Sequence, residues 1–151
     1  MKIGFLFGTE TGNAEMVCED IQADFGDDYE TTLADLADTT PDDLDPDVFY
    51  IIVTSTYGNG DLPTTAQPFG EALEAKPDLT GVRFAIFGLG DMVFAETFNN
   101  GSKTLAALLT SCNATQVGER GLFDASSADL PEDIAIPWAH ACLAQTAELA
   151  A

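Results

Sequence analysis

The run Val48-Phe49-Tyr50-Ile51-Ile52-Val53-Thr54 constrains this chain most. It has no polar alternation and is rich in β-branched and aromatic residues, so it reads as a strand covered on both faces. A sheet with one wet face would alternate instead. Ile3-Gly4-Phe5-Leu6-Phe7 and Val82-Arg83-Phe84-Ala85-Ile86-Phe87 have the same character. Between these runs the apolar residues take helical spacing: Met16, Val17, Ile21 and Phe25, then Ala66 to Ala75 before Pro77, then Leu105, Leu108 and Leu109. Strands alternating with helices imply an α/β fold, an open parallel sheet with helices on both faces.

The weaker signals fill in the order. Gly26-Asp27-Asp28 ends the first helix, and Tyr29 to Ala37 reads as a short, charged edge strand. Thr40-Pro41 predicts an N-cap with Pro at the first helical position, hence one or two turns of helix. Thr115-Gln116-Val117 begins a fifth strand that passes Gly118 and Gly121 to Leu122-Phe123. Pro131 opens a C-terminal helix carrying Ile134, Trp138, Leu143 and Leu149. The expected architecture is one doubly wound, five-stranded α/β/α domain over 1–151.

A net charge of −21, with only five Lys and Arg, excludes nucleic acid or an anionic membrane as a natural partner. It fits a salt-adapted surface, docking to a basic partner, or both. Six aspartates between Asp35 and Asp47 lack EF-hand spacing and read as a solvated face, with no metal site. Cys18, Cys112 and Cys142 are an odd set without metal-ligand spacing, which points to free thiols in a reducing cytoplasm. The apolar run after Lys2 is too short for a signal peptide, and no stretch reaches transmembrane length.

Three loops carry the chemistry. Gly8-Thr9-Glu10-Thr11-Gly12-Asn13-Ala14-Glu15 leads from the first strand into a helix N-terminus, where free N–H groups and the dipole attract a phosphate. Thr9, Thr11 and Asn13 add donors, Gly12 permits close approach, and the absence of Lys or Arg suits a monoester better than a triphosphate. By itself such a turn is more often a helix cap than a phosphate site. The other two are Ser55-Thr56-Tyr57-Gly58-Asn59-Gly60-Asp61-Leu62-Pro63 and Gly88-Leu89-Gly90-Asp91. All three follow strands, and ligands of open parallel sheets sit beyond the carboxyl ends of the strands.

Together these loops closely resemble the three flavin mononucleotide (FMN) loops of the flavodoxin family, and the resemblance spans the chain. The absence of a long insertion in the fifth strand resembles the short-chain branch. The resemblance implies strand order 2-1-3-4-5 and one noncovalently held FMN. Thr9, Glu10, Thr11, Gly12, Asn13 and Ala14 would hold its phosphate; Ala14 replaces a common hydroxyl, a loss of about 1 kcal/mol. Ser55, Thr56, Tyr57, Gly58, Asn59, Gly60 and Asp61 would form the second loop, with Tyr57 stacked on the isoalloxazine. Leu89, Gly90 and Asp91 would form the third, and Phe94 would cover the other flavin face. Phe98 and Asn99 would reach the pyrimidine edge, in a loop one residue longer than the common pattern.

The resemblance also implies how the flavin is tuned. Gly58 would let a peptide turn toward N5 of the semiquinone, and Asp61 and Asp91 would disfavour the hydroquinone anion. One like charge at ~6 Å with an effective dielectric of ~20 costs about 3 kcal/mol. The implied function is a low-potential one-electron carrier shuttling between semiquinone and hydroquinone. It would act as a cytoplasmic monomer that docks transiently with a reductase as donor and an acceptor enzyme, both with basic faces. No acid, base or nucleophile is grouped, and His140, the sole histidine, reads as structural. The alternative is a flavin-dependent reductase acting directly on a quinone or other small substrate, which stacking by both Tyr57 and Phe94 would block. A phosphate-sensing receiver needs acids at the ends of the first and third strands, where Gly8-Thr9 and Thr54-Ser55 stand instead.

Overall fold

The computed structural model describes residues 2–8, 12–55, 62–90, 100–124 and 127–150, with backbone alone at 100 and 147–150. The three apolar runs are β1 (Lys2–Gly8), β3 (Val48–Ser55) and β4 (Arg83–Gly90); β2 spans Glu30–Asp35. Helices α1 (Asn13–Phe25), α2 (Gln67–Glu74), α3 (Asn100–Ser111) and α4 (Pro131–Ala150) fall in the expected intervals. All strand pairs are parallel, in the order β2-β1-β3-β4 followed by the segment that begins at Thr115.

The fifth position differs from a single strand. Two segments, β5 (Thr115–Gln116) and β6 (Gly121–Asp124), both pair with β4. Gly118 between them has φ of 72°, a left-handed conformation that cannot continue a ladder. Trp138 covers the break: its indole N–H donates to the Glu119 carbonyl at 3.0 Å and its ring lies 5.2 Å from that of Phe87.

Two cores sandwich the sheet. On one face α1 and α4 bury Phe5, Ile51, Phe87, Val17, Cys18, Ile21 and Ala139; on the other α2 and α3 bury Leu6, Ile52, Ile86, Phe69 and Leu105. Helical spacing alone misassigned two side chains. Met16 is 60% exposed and Ile134 is 38% exposed, while Cys18 and Ala135 take the inward positions. The edge strand stops at Asp35, because Leu36 turns inward in a 3-10 turn and is fully buried. The segment after Thr40 is a single 3-10 turn, Pro41–Asp43.

The acidic stretch is more than a solvated face. Asp35 accepts the Ala37 N–H at 2.9 Å, Asp43 that of Thr40 at 3.0 Å, and Asp45 that of Asp47 at 2.8 Å. Three of its carboxylates therefore close local turns. Among the described residues, no group of three or more acids, cysteines or histidines could hold a metal ion. All three cysteines are free and buried.

Candidate cofactor site

The loop roots lie side by side at one edge of the sheet. Gly8 pairs with Thr54, Ser55 with Leu89, and Gly90 with Asp124, so the chain leaves β1, β3 and β4 at neighbouring positions about 5 Å apart. This edge includes the β1/β3 switch point, where crossovers diverge to opposite faces.

At the first root, Gly12 is the N-cap of α1 with φ of 90°, and no described atom lies within 4 Å of where its Cβ would stand. The Met16 N–H bonds to the Gly12 carbonyl at 3.1 Å, leaving the amides of Asn13, Ala14 and Glu15 without helical acceptors. An uncrowded left-handed glycine before three such amides fits a phosphate without a basic side chain. Ala14 is fully buried within the α1–α4 core, so its methyl packs inward and its offering to a ligand is the amide. Leu89 likewise sends its side chain into that core and is 8% exposed, leaving only its backbone for the ligand.

Side-chain contacts that no motif announced brace the loop ends. The Ser55 hydroxyl donates to the Gly8 carbonyl at 3.2 Å, joining the roots of the first two loops. The second loop exits through buried Leu62, whose carbonyl accepts from Gln67 Nε2 at 3.1 Å. Arg120 donates to buried Ser102, in the first turn of α3, at 2.8 Å. It brings a cation to the exit of the third loop, whose motif contains none. Burial lowers the Arg120 pKa from its usual value, yet a guanidinium stays charged.

Of the expected site residues, Gly12, Asn13, Ala14, Ser55, Leu89 and Gly90 are found at this edge. Thr9, Glu10, Thr11, Thr56, Tyr57, Gly58, Asn59, Gly60, Asp61, Asp91, Phe94, Phe98 and Asn99 lie outside the described residues. His140 is elsewhere: its Nε2 is 2.6 Å from Asp24 Oδ2, about 18 Å along α1 from Gly12. Its ring meets Phe25 edge-on at 5.0 Å, the structural role its surroundings suggested.

The family model described as Flavodoxin matches residues 5–138. The chain belongs to the flavodoxin family. It is 35% identical to Protein MioC of Escherichia coli (strain K12) over 137 residues, covering 90% of this chain and 92% of that one. It is 34% identical to Flavodoxin YqcA of the same strain over 145 residues, covering 91% and 93%. NADPH-dependent diflavin oxidoreductase 1 of Emericella nidulans matches at 33% identity over 88% of this chain, but over only 21% of that larger protein. Among solved structures, a cysteine-to-alanine mutant of flavodoxin from Pseudomonas aeruginosa superposes with a TM-score of 0.81 at 29% identity, covering 97% of this chain and 99% of that one.

Flavodoxins are FMN electron carriers, and FMN at the β1/β3 edge of order 2-1-3-4-5 is itself the standard illustration of switch-point binding. The amides at the start of α1 fit its phosphate, and no described atom stands within 4 Å of the Gly12 Cβ position.

Proposed function

We propose that this chain carries electrons one at a time as a monomeric cytoplasmic protein and is not itself an enzyme. The observation that carries this reading is that three loop roots meet at one sheet edge in a chain of which 97% is covered by a flavodoxin structure. Bound FMN supplies one-electron redox chemistry; the chain's task is to hold it, exclude water and set its electrostatics. The amides of Asn13, Ala14 and Glu15, with Thr9 and Thr11, hold the phosphate. Tyr57 and Phe94 would flank the flavin ring and keep bulky substrates off it, leaving only the rim for electron exchange. Asp61 and Asp91 would place negative charge at that rim and keep the reduced carrier strongly reducing.

Electron exchange requires a donor reductase and an acceptor. The flavodoxin-like stretch inside an NADPH-dependent diflavin oxidoreductase supports a reductase as the donor. Beside the first loop, the first turn of α1 carries Glu15 and the exposed Met16, an apolar contact next to a carboxylate that suits a basic partner. No helix among the described residues is long and apolar enough to cross a membrane.

Stepwise reduction of the purified protein, followed by its visible spectrum, tests the reading. A yellow protein that passes through a blue form before bleaching supports it. A colourless protein that does not take up FMN refutes it. Steady NADPH oxidation by the protein alone would instead establish the direct reductase.

A further inference from the structure

We infer that the folded state is sustained by a diffuse shell of monovalent cations over the whole surface, so that folding is coupled to cation uptake and the protein is built for concentrated salt. With every Lys and Arg paired, an excess of 21 carboxylates is left. Three of the five cations spend hydrogen bonds on neutral hydroxyls: Lys76 on that of Ser111 at 2.8 Å, Arg83 on that of Thr146 at 2.7 Å and Arg120 on that of Ser102 at 2.8 Å. Among the described residues, the pair between a Lys or Arg and a carboxylate is Lys2–Glu30, at 4.0 Å with both side chains exposed. Such a pair contributes little.

The placement of the charge decides what it is for. No described carboxylate is buried, and exposed ones stand on every layer, from Glu19, Asp20 and Asp24 on α1 to Glu71 and Glu74 on α2. Asp27, Asp28, Glu30, Asp45 and Asp47 share one open groove with Lys2 at the amino ends of β1, β2 and β3. The length of β3 separates that end from the loop roots, roughly 23 Å. At physiological ionic strength the Debye length is about 8 Å, so a partner docked at the rim does not sense these charges. Solubility accounts for them no better, since a net charge of about 2–8 suffices for a small domain. Within the groove, however, the carboxylates lie close enough to repel one another, and such repulsion opposes compaction unless cations gather there.

The test uses the full chain with FMN bound and reads backbone circular dichroism during urea unfolding, a signal independent of redox function. In KCl raised from ~0.05 M to ~3 M the urea midpoint should climb throughout, because screening length falls from above 10 Å to below 3 Å. Sucrose, an excluded but uncharged cosolute, should not substitute for the salt at low ionic strength. The variant Asp27→Asn, Asp28→Asn, Asp45→Asn, Asp47→Asn removes four charges far from the loops and keeps the turn acceptors. It should lower the KCl needed for half-folding at fixed urea by about twofold. Should that variant not fold, Glu71→Gln with Glu74→Gln on α2 should shift the curve the same way by less. Equal midpoints at ~0.05 M and ~2 M KCl would overturn the inference, as would superimposable salt curves for the parent and a folded variant.

Discussion

Gly8→Ala tests whether the β1 terminus is built for the first loop. A methyl there would stand 2.9 Å from Ala66 Cβ, 3.0 Å from Thr54 Oγ1 and 3.2 Å from Leu36 Cδ1. Ala66 and Leu36 are fully buried, and a Cβ cannot move without its backbone, so β1 or the start of α2 must shift. Overpacking of this kind costs typically 1–3 kcal/mol. Against it stands the reduced freedom of the unfolded chain, about 0.4–1 kcal/mol in favour of alanine. The clash wins, leaving a net loss of about 1–2 kcal/mol. Urea unfolding of the apoprotein should show a lower midpoint at unchanged m. The shift falls where the Gly8 carbonyl receives Ser55 and where the phosphate loop begins, so FMN affinity should fall as well. If about 1 kcal/mol of the strain reaches the loop, the dissociation constant rises about fivefold, measured by quenching of flavin fluorescence. A variant with unchanged midpoint and unchanged FMN affinity would refute the reasoning.

Four further outcomes are expected. Gly121→Ala would drive a methyl into the Phe87 ring and to 2.9 Å from Trp138 Cδ1 and Nε1, so a loss of about 2–3 kcal/mol is expected, read as a lower urea midpoint. Burial pushes the Cys142 thiol up to about 11 and the Cys18 thiol upward also, aided by Glu15 and Glu19. Raised thiol pKa values favour the folded state below their ordinary value near 9, so stability should decline from there as pH rises toward 11, less steeply in Cys142→Ala. In the native protein all three thiols should react with a thiol reagent no faster than unfolding allows, which titration with and without urea would show. If Tyr57 stacks on the flavin as proposed, Tyr57→Ala should weaken FMN binding by about 1 kcal/mol or more while leaving the apoprotein's unfolding free energy within about 0.5 kcal/mol.

Local patterns wrote most of the fold into the sequence. Uninterrupted apolar runs at Ile3–Phe7, Val48–Thr54 and Val82–Phe87 read as strands covered twice, and the three loops after the strands carry the family resemblance that implies the ligand. Both properties belong to a few consecutive residues, which is why they are legible without the rest of the chain. The tertiary structure decided what depends on register and layering: that Ala14 and Leu89 turn their side chains to the core, that Ser55 reaches back to Gly8, and that Arg120 meets Ser102. It also split the fifth strand around Gly118, exposed Met16, and carried five carboxylates to the end of the sheet away from the loops. Contacts such as Ser55 to Gly8 join residues 47 apart. Periodicity fixes only which way a residue points on its own element; what it meets there is set by how the elements are stacked.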